Sequence, residues 1–291
     1  MDREEILRLL SEENPSRPTP VWRMVASQIV RDFKVWWTYK MWLTLDITGT
    51  MLFISTYYLV SHIISGQHIA NAGYTTGGYF TFAVVGIAFQ QYVFSSVMGI
   101  NESIRDEQWM GTIETILSSA TSFRTFLFGE SIFFFIVGSS FLAGSLATGL
   151  ALGAEFRLEP LTFISIMVLS MLLIASHMAV GILGAGIIMK TKQGNPLVWA
   201  FSWMTQLVSG VFYPLGLLPW YLEWVGKIFP LTYSLDAIRL CLQGGQTLAS
   251  PMVLNDVASL LIFIAVALPL SLYIFKLGYD SARREGSLSQ Y

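Results

Sequence analysis

Long apolar stretches separated by short polar ones set the rhythm of this 291-residue chain. Six of them, 43–64, 78–100, 128–152, 161–189, 196–213 and 256–276, are apolar over the roughly 20 residues needed to cross about 30 Å of hydrocarbon. A further apolar segment, 214–245, is cut by Pro214, Pro219 and Pro230 into pieces too short to cross. That pattern predicts short helices at the interface, or a re-entrant hairpin. Ahead of the first stretch, Val21, Val25, Ile29 and Phe33 recur every four residues, with Arg23, Arg31 and Lys34 elsewhere round the helix. Trp36, Trp37, Tyr39 and Trp42 then gather where an interfacial aromatic belt belongs. Residues 21–42 therefore read as an amphipathic helix lying along the membrane surface and turning up into the first span. A plain basic flank is the other reading. Residues 1–20, with their SEENPSRPTP run, read as a disordered leader. The predicted fold is an all-α polytopic membrane protein with six transmembrane helices spread over 43–291.

Composition changes the picture only by exclusion. Hydrophobic residues make up 54% of the chain and charged ones 12%, about half the share usual in soluble domains. No single soluble core hides that much apolar surface, so a soluble enzyme, a nucleic-acid binder and a disordered chain are excluded. The one cysteine, Cys241, excludes a disulfide framework and a cysteine-based metal cluster. The net charge of −2 says nothing about partners, but the placement of charge does. Of the 17 basic residues, all but Arg157, Lys227 and Arg239 fall on one side of the six-span arrangement. By the positive-inside rule that side is cytoplasmic, and both termini lie there. The charged first 40 residues predict no cleavable signal peptide.

The longest cytoplasmic connection, 101–127, is the most informative segment. Glu102, Asp106, Glu107, Glu114 and, just beyond it, Glu130 outnumber Arg105 and Arg124, against the usual basic bias. Gly111 breaks the helical pattern that runs through Arg105–Trp109, Thr112 opens a short amphipathic turn, and Ser118, Ser119 and Thr121 offer caps for the next helix. A helix–break–helix of this kind is a docking shape, with a solvated loop as the alternative. Within the spans, Ser202, Thr205, Gln206 and Ser209 follow a helical spacing, as do Gln90, Gln91 and Ser95. Polar side chains there either line a route or hold the bundle by interhelical hydrogen bonds. Asp46 and Glu130 sit near the cytoplasmic ends of the first and third spans. Glu130 reads as a helix-start acid favoured by the dipole, and Asp46 calls for an unnamed basic partner. The three histidines are too scattered for a metal triad, so no catalytic or metal-binding residue is expected. Ser139, Ala143, Ala147 and Ala151, with Gly181 and Ala185, form small-residue faces for close helix packing.

Two blocks carry a family resemblance. Glu102-x-x-Arg105 with Gly111-Thr112-Ile113-Glu114 and Leu117-Ser118-Ser119 resembles the cytoplasmic loop of type-2 ABC transporter permeases. Leu218-Pro219-Trp220 and Phe229 through Arg239 (FPLTYSLDAIR) are similar to the block before the last span in the drug- and lipid-exporter branch, including daunorubicin-resistance-like permeases. The resemblance implies that Glu102, Arg105, Gly111, Thr112 and Glu114 couple to a separate cytosolic ATPase holding ATP and Mg. It also implies a second permease copy, identical or not, in the cell membrane. The cargo would be hydrophobic or amphipathic, with polysaccharide less favoured, and the outer hairpin would form a gate with Pro230, Tyr233, Asp236 and Arg239. No nucleotide site is expected in this chain itself. The lone Gly226-Lys227 lacks the phosphate-loop glycine and Ser/Thr, and Leu242-Gln243-Gly244-Gly245-Gln246 reads as a glycine-capped helix end rather than an ATPase signature. The alternatives are an ion-coupled secondary transporter or channel, which needs an acid or base deep in a span, and an intramembrane enzyme.

Overall fold

The computed structural model describes residues 20–63, 77–112, 115–116, 123–191 and 196–284. No strand occurs among them. The leader over 1–19, Glu114 and the capping residues Ser118, Ser119 and Thr121 lie outside the described residues.

Helix α1 (Val21–Thr38) follows Pro20, whose fixed φ starts it. Tyr39 leaves helical geometry at φ −88°, ψ 54°, and the chain turns there into α2 (Lys40–Ser61). The predicted surface helix and first span are thus two helices with a one-residue joint. Helix α3 (Gly78–Trp109) runs for 32 residues, about 48 Å at 1.5 Å per residue. It outruns the hydrocarbon, so its charged last turns project beyond the membrane. Glu102 and Arg105, expected in a helix–break–helix connection separate from the span, stand on the projecting end of the span helix itself, because a hydropathy break is not a helix break. The helix stops where the sequence indicated: Gly111 takes φ +69°. Next come α4 (Phe123–Ala151), α5 (Pro160–Thr191) and α6 (Pro196–Val208). A 3-10 turn (Leu215–Leu217), α7 (Trp220–Gly226), α8 (Pro230–Leu242) and α9 (Pro251–Arg284) complete the described elements.

Among the described residues, five helices, α2, α3, α4, α5 and α9, are long and apolar enough to span. The fifth expected span, 196–213, is shorter than expected: α6 has 13 residues, about 20 Å, and ends before Gly210, which takes φ +76°. It hands over directly to the broken hairpin that the prolines predicted. Pro230 does not bend that hairpin; it is the first residue of α8, where its missing N–H costs nothing.

Helix α3 is the central post, packed by α2, α4, α5 and α8. Its Phe82, Val85, Phe89 and Tyr92 meet Leu169 and Leu173 of α5 and Leu231, Leu235 and Ile238 of α8 in one buried cluster. Lipid tails are as apolar as these side chains, so close fit rather than expulsion from water holds such helices together. The tightest fit joins α5 to α9. A Cβ added to Gly278 would lie 2.1 Å from the Gly186 carbonyl oxygen, so backbone touches backbone. Two expected small-residue positions pack as read: Ala185 is fully buried, and Gly181 leaves room for Val97 and Ile100.

Candidate functional site

Three features stand out, and the first is a cavity. Helices α2, α3 and α6, with the chain just after α6, enclose about 320 Å³ lined by Asp46, Thr50, Phe53, Gln90, Gln91, Gln206 and Phe212, among others. The three glutamines meet at mid-depth. Gln90 lies about 18 Å from the first residue of α3 and Gln206 about 15 Å from that of α6, which enters from the opposite side. The structure therefore gathers Gln90, Gln91 and Gln206 and adds Asp46 to them. The other stripe residues point elsewhere. Ser95 bonds back to the Gln91 carbonyl at 2.9 Å, as helix-interior serines do. Ser202, Thr205 and Ser209 are buried in the protein.

The second feature is Arg239, assigned by resemblance to a gate. It is 2% exposed, and its guanidinium donates to the carbonyls of Gly210 at 2.7 Å, Val211 at 2.9 Å and Phe82 at 3.0 Å. Its Cζ also lies 3.4 Å from the centre of the Phe82 ring. A helix that ends inside a membrane leaves carbonyls with no water to satisfy them. Arg239 supplies the donors and so lets α6 stop where it does. Gly86 makes the room: a Cβ there would stand 2.0 Å from the Val211 oxygen. Arg239 is thus an interior fastening rather than a surface lip. With Ser209, Tyr233, Asp236 and Asp256 it lines a second cavity of about 250 Å³. Tyr233 Oη donates to the Lys227 carbonyl at 2.8 Å, tying α8 back to the end of α7. Asp256, not singled out from sequence, is buried in the second turn of α9. It opens the apolar run 256–276, and an acid at the end of such a run carries no sign of burial in the sequence.

The third feature is a charge cluster where α1 crosses α3 and α4. Arg31 reaches Asp32 at 2.7 Å, Glu107 at 3.0 Å and Glu130 at 3.5 Å. Gln28 Nε2 donates to Glu130 Oε1 at 2.9 Å and to the Phe126 carbonyl at 3.0 Å. Burial works against the charge on Arg31, but the three carboxylates outweigh it and raise its pKa above the ordinary arginine value. Burial raises the Asp32 pKa, Glu107 pushes the same way, and the bond from Arg31 only partly offsets them. Glu130 is not a helix-start acid: α4 begins seven residues earlier, and the side chain is buried against α1. Sequence reasoning missed Gln28, Arg31 and Glu107 as a set, because their partners across the cluster lie 76 to 102 positions away. Among the coupling candidates, Glu102 and Arg105 form an exposed pair at 4.0 Å, which adds little stability. The Thr112 hydroxyl bonds to Glu107 across the Gly111 turn.

A family model for the ABC-2 type transporter matches residues 19–242, from the start of α1 to the end of α8. The chain belongs to the ABC-2 type transporter family. Comparison with curated proteins finds no match. An ABC-2 membrane domain is the permease component of its transporter and not the ATPase, and such permeases generally work with a cytosolic ABC ATPase. This ABC-2 permease is a membrane protein. The matched region contains the glutamine cavity, Arg239 and the α1 charge cluster; of the residues described above, Asp256 lies outside it.

Proposed function

We propose that the chain is the membrane-spanning subunit of an ATP-driven exporter, acting as a dimer with a second permease copy and two ATPase subunits. It moves a hydrophobic or amphipathic molecule outward across the cell membrane, with both termini in the cytoplasm. The observation that carries this reading is the polar cavity at mid-depth on a helix that the rest of the chain leaves almost bare. Only 6% of the central window of α2 is buried. A helix bearing Asp46 does not present that residue to lipid at no cost, so a second copy and the route between the copies cover it.

Coupling follows from the charge cluster. ATPase closure presses on the projecting end of α3, where Glu102, Arg105, Gly111 and Thr112 stand, and on the adjacent Glu114. Arg31 ties that end to α1 through Glu107 and to α4 through Glu130. Because α1 joins α2 through the single residue Tyr39, a displaced α1 drags the Asp46 wall of the cavity with it. Arg239 holds the α6 break and α8 still while this happens, and Tyr233 and Asp236 border the outer cavity as its gate.

The test is transport. Proteoliposomes holding the chain with its co-purified ATPase should accumulate a fluorescent amphiphile only with ATP, and Gln206→Leu should reduce the rate while leaving the complex assembled. Flux driven by a proton gradient without ATP, with no ATPase co-purifying, would overturn this reading in favour of an ion-coupled transporter. Unchanged flux in Gln206→Leu would remove the cavity from the route.

A further inference from the structure

We infer that the groove between α4 and α9 holds a resident phospholipid and selects phosphatidylethanolamine, with Lys276 on its phosphate and Asp280 on its ammonium group. The groove shares no lining residue with the cavity of α2, α3 and α6, so the lipid held here is a fixture of the protein, separate from the transport route. Both charged residues also lie beyond residues 19–242, the region that the family model matches.

The groove follows from the packing. Helix α5 packs along α9, while α4 packs on α3 and α1, and the space between α4 and α9 stays open. Phe128 and Leu272 stand exposed at its two rims, and Met178 and Ile182 of α5 form its floor. Those floor residues lie about 20 and 14 Å before the end of α5, so the floor reaches well into the hydrocarbon. Phe275 and Tyr279 line the α9 side, stacked at 6.5 Å with planes 16° apart. An apolar floor that opens sideways to the bilayer takes an acyl chain. The volume of about 670 Å³ falls within the usual range of ligand pockets.

The mouth of the groove says which lipid. Lys276 closes the apolar run 256–276 and Asp280 follows one turn later, at the level where long polar side chains reach the head groups. Among the described residues neither forms an ion pair, with the other or with any third group. A lysine four residues ahead of an acid is the less favourable order for pairing along a helix. The two opposite charges therefore stand side by side and unpaired. A phosphatidylethanolamine head group carries the complementary pair, a phosphate and an ammonium two carbons apart. The Lys276 ammonium donates to the phosphate oxygens, and the Asp280 carboxylate accepts the ethanolamine N–H groups. Choline has no N–H to give, and its methyl groups hold its charge away from the carboxylate. Phosphatidylglycerol brings the phosphate but leaves Asp280 unpaired beside a second negative charge.

The test reads lipid binding by native mass spectrometry. The delipidated full-length chain in detergent is titrated with palmitoyl-oleoyl phosphatidylethanolamine and with its choline and glycerol counterparts. Wild type is expected to bind the ethanolamine lipid about fivefold or more tighter than either counterpart. Asp280→Asn should cut the preference over the choline lipid to less than about twofold while the choline lipid binds as before. Lys276→Gln should weaken the ethanolamine and choline lipids alike, by about threefold or more, since they share the phosphate. Equal wild-type affinity for the ethanolamine and choline lipids overturns the inference, as does a preference that survives in Asp280→Asn. Tighter binding of the glycerol lipid than of the ethanolamine lipid overturns it too, since Lys276 would then act alone on an anionic head group. The wild-type comparison needs no variant, so it decides the matter where Asp280→Asn gives no monodisperse protein.

Discussion

Helices α2 and α9 are about equally bare, but only α2 carries an acid within its apolar run. Only 6% of the central window of α2 and 11% of that of α9 are buried, yet the α9 window is the most apolar of the five spans and the α2 window the least. On α9 the exposed residues are Leu254, Leu261, Ile262, Val266 and Leu270, a surface that lipid satisfies. On α2 Leu45, Met51 and Leu52 are exposed as well, but beside them stands Asp46, a carboxylate that lipid does not satisfy. Attachment differs as well. Helix α9 is seated backbone to backbone on α5 through Gly186 and Gly278, whereas an added Cβ at Gly49 would meet nothing within 4 Å. Exposure alone therefore does not say what a membrane helix faces. Its polarity, and how tightly the rest of the chain grips it, divide this permease into a fixed frame and a movable wall.

The frame is the place to break the comparison most severely. Arg239→Met removes the donors of the Gly210 and Val211 carbonyls, each costing about 1–3 kcal/mol when left bare, and a second donor of Phe82, whose carbonyl keeps its place in the α3 ladder. The expected result is a loss of about 3 kcal/mol or more, seen as a steep fall in the thermal midpoint by fluorescence-detected size exclusion. Arg239→Lys, with one compact ammonium, should recover only part of it. A midpoint unchanged in Arg239→Met would mean that the α6 break is held by something else.

One methyl group placed on each helix sharpens the contrast next. Gly278→Ala drives a Cβ into the Gly186 carbonyl and should cost about 1–3 kcal/mol as α9 lifts off α5. Gly49→Ala meets open space and gains helix propensity, so stability should hold or rise by up to about 1 kcal/mol. The same pair of melting curves reads both. Equal losses would erase the distinction between gripped and loose helices.

How much of this was legible beforehand follows from what each signal measures. Hydropathy reads the membrane, so it placed the spans, and the prolines of 214–245 marked the hairpin. Polar residues stand out against an apolar background, which is why Gln90, Gln91 and Gln206 could be picked before they were seen to meet. Hydropathy does not read the helix itself. The charged end of α3 looked like a loop although nothing before Gly111 stops it, and α6 looked like a full span although Gly210 ends it. Arg239 was tallied as an outer-side charge because its partners are carbonyls, which leave no trace in the sequence. The Arg31 cluster joins residues far apart in the chain and only folding brings them together.

Cysteine cross-linking separates the two bare surfaces by what covers them. Thr48→Cys on α2 should join two copies under copper–phenanthroline in native membranes, giving a strong dimer band on non-reducing gels. Val266→Cys on α9 should give only a trace, since lipid is its neighbour. Cys241 is buried and does not compete. The reverse pattern would put the second copy on α9 and leave the polar side of α2 unexplained.

The smallest effect concerns how α1, which carries α2, is fastened. The folded pKa of Asp32 lies above the ordinary value of 3.8, so the folded chain holds that proton more tightly than the unfolded chain does. Stability from this group is then fully present below about pH 4 and is lost as the pH rises through the folded value, after which the deficit stays constant. Asp32→Asn removes the titration while leaving an oxygen for Arg31. Thermal midpoints of wild type and variant should run parallel below about pH 4, and the variant should gain on wild type as the pH rises before levelling off. Asp32 shares Arg31 with its neighbours in the cluster, so the difference between the two curves reads the cluster as Asp32 drives it. Curves that stay parallel to neutral pH would mean that the Arg31 bond fully offsets burial, and α1 would then be fastened by ion pairing at no electrostatic cost.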